Sequence, residues 1–299
     1  MHVRGVARLS EWRARGVEGG LRARLIEWLE PSVGEAWAQV LIPDQPALSA
    51  LGGAVAVAVA ALWGRREGLS WWRVALSGGA AALGAVVFSR VLWVVIEWER
   101  FVADPVLLVH PFRGGQVSFG ALAGAGLGAA LALWWLKLPV RRAADVMAPP
   151  GLFGIALARV GCLMRGCDFG TPSALPWSVR YPEGSTVYRL HLRHDLIEPG
   201  ALLSAPVHPF PLYLAAWVVF CGALAMAAPR LFGERPGQRA VGTGLLYLAG
   251  RFCLEFFRQP GNAPMVWGAL NMGHVMALVW GAVLVVLFAW VSRVKPAAG

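Results

Sequence analysis

The segment GQVSFGALAGAGLGAALALWWL, residues Gly115–Leu136, contains no charged side chain and stops at Lys137. An apolar run of roughly 18 or more residues is long enough to cross the hydrocarbon core of a bilayer as one helix. The rest of the chain has the same character. Of its 299 residues, 57% are hydrophobic and 15% are charged, whereas a soluble domain carries about 25% charged residues. Thirty-six Gly and 15 Trp accompany only four Tyr. This composition excludes a water-soluble domain, a disordered chain and a disulfide-rich secreted scaffold. It fits a polytopic membrane protein, rich in the small residues that let helices approach closely in lipid.

Working outward from Gly115–Leu136, the same criterion gives six more spans: about Ala47–Trp63, Val74–Trp98, Val146–Met164, His208–Ala228, Ala240–Phe257 and Leu270–Val291. The expected fold is an all-α integral membrane protein of about seven transmembrane helices. Basic residues set its orientation. Arg65, Arg66 and Arg73 fall in one loop; Lys137, Arg141 and Arg142 in another; Arg230, Arg235 and Arg239 in a third; Arg293 and Lys295 follow the last span. These loops alternate onto one side, which the positive-inside rule makes cytoplasmic. The N-terminus is therefore expected outside and the C-terminus in the cytoplasm. The net charge of 27 − 17 = +10 is accounted for by these loops, and no nucleic-acid partner is expected.

Residues 1–43 read as an N-terminal extension, and residues 44–299 as the membrane domain. In the extension, Leu21, Leu25 and Trp28 share a helical face opposite Arg22, Arg24 and Glu27. That pattern suits either a helix lying in the membrane interface or a solvated amphipathic segment. Met1 to about Pro43 lacks a compact apolar run ending in a small-residue cleavage site, so no cleavable signal peptide is expected. Residues 165–207, rich in Pro, Gly, Arg and His, are expected to form a small extracytoplasmic cap.

Charges inside the spans carry the chemistry. An Arg at the middle of a membrane helix costs at least about 2.5–3.5 kcal/mol, so it persists where it faces a partner, water or the bundle interior. Arg90, Arg159 and Arg251 lie within spans and Arg258 just beyond one, against Glu97 and Glu255 as the nearby acids. Arg251 and Glu255 are four apart and suited to pair. The remaining guanidinium excess calls for an anion, and the most available one is a lipid phosphate, which Arg grips through two parallel hydrogen bonds. Arg159 opens a Gly-punctuated stretch, Arg159–Gly170, whose glycines permit close backbone approach. Cys162 and Cys167, five apart, lack the spacing of a zinc site and read as small apolar packing, with a redox or disulfide role on the oxidising side as the alternative. His208 opens a span and reads as a base near neutral pH or as a hydrogen-bonding anchor. His191 and His194 near Asp195 show no metal-ligand pattern, and no metal or cofactor is expected.

Taken in order, these elements resemble the prolipoprotein diacylglyceryl transferase family over about residues 85–285. Arg90-Val-Leu-Trp-Val-Val with Asp104-Pro105 is similar to one family segment and its following loop. Arg113-Gly114-Gly115-Gln-Val-Ser-Phe119-Gly is similar to its glycine-rich segment. Arg159–Gly170 resembles its signature Gly-Arg-x-Gly-Asn-Phe-x-Asn-x-Glu-x-x-Gly, and His208-Pro-Phe-Pro-Leu-Tyr213 resembles its His-Pro-x-Gln-Leu-Tyr element. Tyr247-x-x-x-Arg251-Phe-x-x-Glu255-Phe-Phe-Arg258-Gln-Pro is the best of the five. Where the family has polar residues, this chain has Phe119, Cys162, Arg165, Cys167 and Pro211; Arg159, Gly161, Gly170, Arg251, Glu255 and Arg258 are kept.

The resemblance implies transfer of a diacylglyceryl group from phosphatidylglycerol, an anionic phospholipid, to the cysteine thiol of a lipoprotein precursor, releasing glycerol phosphate at the outer face of a bacterial inner membrane. It implies Arg159, Arg251, Glu255 and His208 as catalytic residues, with His208 or Glu255 as the base. It implies Arg90, Gly114, Gly115, Gly161, Gly170, Tyr213, Tyr247 and Arg258 as substrate-binding residues. The replaced polar residues keep two other readings open: a related transferase with a different acceptor, and a non-catalytic lipid-binding or lipid-moving protein.

Overall fold

The structure is a computed structural model that describes residues 21–33, 44–108, 118–260 and 265–293. Its helices are α1 (Leu21–Val33), α2 (Gln45–Arg66), α3 (Trp71–Ile96), α4 (Trp98–Ala103), α5 (Ser118–Trp135), α6 (Val140–Arg165), α7 (Thr186–Arg193), α8 (Phe210–Ala227), α9 (Gln238–Glu255) and α10 (Met272–Arg293). A two-stranded antiparallel hairpin, β1 (Met265–Trp267) with β2 (Leu270–Asn271), precedes α10.

Five of these helices, α2, α3, α6, α8 and α10, are long and apolar enough to cross a membrane. The third expected span is helical as α5, whose apolar stretch Gly120–Trp135 is shorter. The sixth is helical as α9 and carries Arg239, Arg251 and Glu255. The second ends earlier than expected, because the chain leaves the helical region at Glu97 (φ −108, ψ 42) before α4 begins. Large apolar side chains such as Leu83, Val95, Leu131, Trp134, Val286 and Trp290 point outward, as lipid-facing surfaces require.

The chain divides into two compact units. One holds Ala50–Ile155, Val219–Leu246 and Ala282–Gly299 in its range. In it, α3 and α5 meet backbone to backbone. Gly120, Gly124 and Gly128 recur every four residues along one face of α5, against Ala80, Gly84 and Phe88 of α3. A Cβ on Gly124 would collide with the Gly84 carbonyl, and one on Gly120 would come 2.6 Å from the Phe88 carbonyl. In lipid no hydrophobic force drives helices together, so close packing between small residues is what holds such a pair. Asp145 of α6, buried, accepts hydrogen bonds from the backbone of Gly237 (2.6 Å) and Ala240 (2.7 Å) and so caps the N-terminus of α9. Arg239 pairs with Glu67 at 3.2 Å and lies over the Trp63 ring.

The other unit draws on Met1–Ser49, Ala156–Val218 and Tyr247–Gly281. Its part between α6 and α8 is built on Phe169, Tyr181, Val187 and Val207, all fully buried, with Leu21 of α1 and Leu190 packed on them. Each such side chain contributes roughly 1.5–3 kcal/mol on burial. Ser185 caps α7 by accepting the Tyr188 N–H at 3.1 Å, and Tyr181 Oη donates to the Leu163 carbonyl at 3.1 Å. Among the described side chains of α1, Ile26 is buried, whereas Leu25 and Trp28 are exposed.

Candidate active site

The site is built where α6 ends. At Gly166 the chain turns left-handed (φ 70), which a residue with no Cβ adopts freely. Cys167 N–H then bonds back to the Cys162 carbonyl at 3.3 Å and Gly166 N–H to the Leu163 carbonyl at 3.2 Å, the paired bonds of a Schellman helix end. In that geometry the side chains five apart meet, which explains the Cys162/Cys167 spacing. Both thiols are free, and Gln45 spans them: its Nε2 donates to Cys162 Sγ at 3.5 Å, and Cys167 Sγ donates to its Oε1 at 3.7 Å. The bond to Cys162 and burial push the Cys167 thiol up, so it stays protonated.

This reversal returns Asp168 toward the helix it has just left. Its carboxylate binds Arg159 at 2.7 Å and Arg258 Nε at 3.0 Å. Arg258 also binds Glu255 Oε1 at 2.9 Å, and Glu255 binds Arg251, the expected i,i+4 pair. The result is one chain of alternating charge, Arg159–Asp168–Arg258–Glu255–Arg251. Exposure runs from nothing at Glu255 to 18% at Arg258. Three guanidiniums and two carboxylates leave 3 − 2 = +1 in a largely water-excluded cluster. Burial opposes the Arg258 charge, but Asp168 and Glu255 more than offset it and raise its pKa. The Phe210 ring lies 5.4 Å from Arg251 and 6.0 Å from Arg258, a cation–π floor under both.

Backbone pairing fixes these ends. Gly170 bridges antiparallel to Arg258, with Thr171 N–H to the Phe257 carbonyl at 2.9 Å and Gln259 N–H to the Phe169 carbonyl at 3.1 Å. On the other edge Gly170 N–H reaches the His208 carbonyl at 3.1 Å. A Cβ on Gly170 would come 2.6 Å from both His208 Cβ and the Phe257 carbonyl, so only glycine fits. His208 Nδ1 lies 3.0 Å from Tyr213 Oη, which also accepts the Trp177 indole N–H at 2.7 Å. The His208 ring packs edge-on to Phe257 at 5.3 Å.

The structure thus brings together Arg159, Arg251, Glu255 and Arg258, with Gly170, His208 and Tyr213 beside them. Tyr247, one turn before Arg251, neighbours both Arg159 and Arg251; its carbonyl accepts the Trp217 indole N–H at 3.3 Å. Gly161 lies against Gln45, the first residue of α2, where a Cβ would come 2.9 Å from Gln45 Cα. Arg90 is buried in the other unit. Gly114 and Gly115 lie outside the described residues, and so does the side chain of Phe119. Sequence reasoning missed Asp168, Phe210 and Trp177. Asp168 did leave a signal: an acid two residues past a glycine that ends an Arg-bearing helix. Phe210 and Trp177 left none, since their roles depend on segments distant in sequence.

Apolar helices long enough to span a bilayer define a multi-pass helical membrane protein, and it carries a buried cluster of surplus positive charge. The family model for prolipoprotein diacylglyceryl transferase matches residues 76–290, and the chain belongs to that family. It is 30% identical over 218 residues to a protein of Gloeobacter violaceus named phosphatidylglycerol–prolipoprotein diacylglyceryl transferase, covering 71% of this chain and 74% of that one. Proteins of the same name from Vibrio cholerae and Pseudomonas paraeruginosa are 27% and 26% identical, each over 75% of this chain and over 78% and 79% of their own lengths. The family is one of transferases of lipoprotein biosynthesis.

Proposed function

We propose that the chain transfers a diacylglyceryl group from phosphatidylglycerol to the cysteine thiol of a lipoprotein precursor, releasing glycerol phosphate. In this reading seven helices span a bacterial inner membrane with the N-terminus outside and the C-terminus cytoplasmic, and the site faces the extracytoplasmic side. The observation that carries the reading is the surplus of one positive charge in the buried Arg159–Asp168–Arg258–Glu255–Arg251 chain. A phosphodiester carries one negative charge and matches that surplus. Arg159 and Arg251 hold the phosphate, Glu255 and Asp168 orient the guanidiniums, and Arg258 links the two carboxylates.

In the reaction the substrate sulfur bonds to the glyceryl carbon that bears the phosphate, and the carbon–oxygen bond breaks. The bonding pair goes to the leaving oxygen, so the departing glycerol phosphate gains a second negative charge, which the fixed guanidiniums stabilise. The thiol must first lose its proton, and a positive field beside it promotes the thiolate. His208 is the candidate acceptor. To act as base at Nε2 it donates Nδ1–H to Tyr213 Oη, 3.0 Å away.

The test is purified protein in detergent with phosphatidylglycerol and a peptide carrying the acceptor cysteine. The expected products are diacylglyceryl-modified peptide and glycerol phosphate in equal amounts. Arg159→Ala and Arg251→Ala are each expected to lose about 100-fold or more in kcat/KM, the scale of losing a fixed charge-stabilising donor. Neither product from the wild-type protein would refute the reading. A second reading, a transferase with another acceptor, is favoured by the Cys162, Arg165 and Cys167 side chains gathered on Gln45, where the family signature has Asn, Asn and Glu. Glycerol phosphate release that needs a membrane extract but not the peptide would select it.

A further inference from the structure

We infer that His274 binds the lipid substrate, its Nε2–H donating a hydrogen bond to an oxygen of the bound phosphoglyceride beside the Glu255–Arg251 pair. The inference deepens the lipid reading of this site and rests on it.

Asn271 is the N-cap of α10. Its Oδ1 accepts the backbone N–H groups of Gly273 at 2.8 Å and His274 at 3.2 Å. Those two bonds fill both lone pairs of that oxygen. His274 stands at the third position of the helix and reaches back, so that the Asn271 backbone N–H donates to its Nδ1 at 3.2 Å. This is the reciprocal geometry of a capping box, with histidine in the position Glu or Gln ordinarily takes. Nδ1 also lies 3.1 Å from Asn271 Oδ1, but that oxygen is saturated and the backbone N–H can only donate. Nδ1 is therefore the acceptor, and the neutral ring carries its proton on Nε2.

His274 is 1% exposed, and its Nε2 has no hydrogen-bond partner among the described residues. A buried donor left unmade costs the full desolvation of the group, so it calls for a partner that arrives from elsewhere. The ring cannot swing away to find one. It is held against Phe252 at 5.0 Å and Phe256 at 4.3 Å, which directly follow Arg251 and Glu255 in the chain. Among the described residues, Glu255 and Arg251 are the charged groups within its electrostatic reach. Gly273 keeps the α10 turn pressed on the site, since a Cβ there would collide with the Glu255 carboxylate. An oxygen brought in by an anionic lipid accepts this hydrogen bond, as phosphate or as ester carbonyl.

Glutamine tests this directly. Its Oε1 can replace Nδ1 in the capping box and its Nε2–H the histidine donor. In detergent, dihexanoyl phosphatidylglycerol is titrated against the wild-type protein, His274→Gln and His274→Met, with Kd read from ligand-induced thermal stabilisation. His274→Gln is expected within about threefold of wild type and His274→Met about tenfold weaker, the scale of one lost buried hydrogen bond. With the acceptor peptide, the His274→Met loss is expected in KM for the lipid rather than in kcat. Titration with glycerol phosphate separates the sources: weakening of both ligands assigns the phosphate oxygen, and weakening of the lipid alone assigns the ester carbonyl. If His274→Met does not fold, His274→Glu keeps the capping acceptor, offers no donor and is expected to bind weakly. A His274→Met or His274→Glu protein that binds like wild type, or a His274→Gln protein as weak as His274→Met, overturns the inference while wild-type binding and turnover leave the proposed function standing. A wild-type protein that binds no phosphatidylglycerol overturns both.

Discussion

Asp168→Asn changes one atom type and removes the carboxylate that holds two buried guanidiniums, Arg159 at 2.7 Å and Arg258 at 3.0 Å. The side chain is 7% exposed, so water does not screen these pairs as it screens surface ones. Breaking a buried pair costs about 3–5 kcal/mol, against about 0–1 kcal/mol for an exposed pair. The charge of the cluster rises from 3 − 2 = +1 to 3 − 1 = +2. At about 2–4 °C per kcal/mol for a chain of this size, the melting temperature is expected to fall by about 6–20 °C. Asn still accepts one hydrogen bond, which favours the lower end. The assay is tryptophan-fluorescence melting in detergent. Added phosphatidylglycerol is expected to restore part of the loss, because a bound anion returns the missing charge. Glu97→Gln is the control: its pair with Arg100 is 3.4 Å long with 39% and 73% exposed side chains, and a shift within about 2 °C is expected. An Asp168→Asn protein that melts as little changed as that control would refute the reasoning that this carboxylate holds the arginines in place.

Gly124→Val drives a branched side chain into the Gly84 carbonyl and is expected to cost about 1–3 kcal/mol or more in thermal or SDS-induced unfolding, whereas Gly126→Ala, with open space around it, is expected to stay within about 0.5 kcal/mol. Asp145→Ala removes two buried acceptor contacts at the start of α9 and is expected to cost about 1–3 kcal/mol in the same assay, with KM for the lipid unchanged. His191 is fully buried against Phe169, with neither ring nitrogen partnered among the described residues, and burial, then His194, lowers its pKa from 6.5. Its protonation is penalised in the folded state, so its contribution to stability is complete above the ordinary value and is lost as pH falls through it. The melting temperature is expected to drop between about pH 7.5 and about pH 5, and His191→Phe to flatten that dependence; an unchanged slope would exclude His191 as its source.

Much of the site was legible in residue type alone. Arg159, Arg251 and Glu255 stood out because charge inside an apolar run is costly, and Arg251 with Glu255 because a helix sets residues four apart on one face. The Phe119, Cys162 and Cys167 departures were also legible as sequence, but not their surroundings. Gln45 joins Cys162 and Cys167 across more than a hundred residues, and no local pattern announces such a contact. His274 was passed over because its capping box uses a histidine where sequence rules look for Glu or Gln.

By itself the sequence determined that this is a membrane protein built of helices, and which charges lie inside it. Hydrophobicity acts residue by residue along a continuous segment, and the bilayer thickness turns it into a length. Tertiary structure alone decided that Asp168 would stand between Arg159 and Arg258, that Phe210 would lie under two guanidiniums, and that His274 Nε2 would be buried without a hydrogen-bond partner among the described residues. Each depends on segments that meet only after the chain reverses at Gly166 and again at Gly268, in the turn between β1 and β2. Ion pairs and hydrogen bonds hold over a few ångströms of space, whatever the distance along the chain.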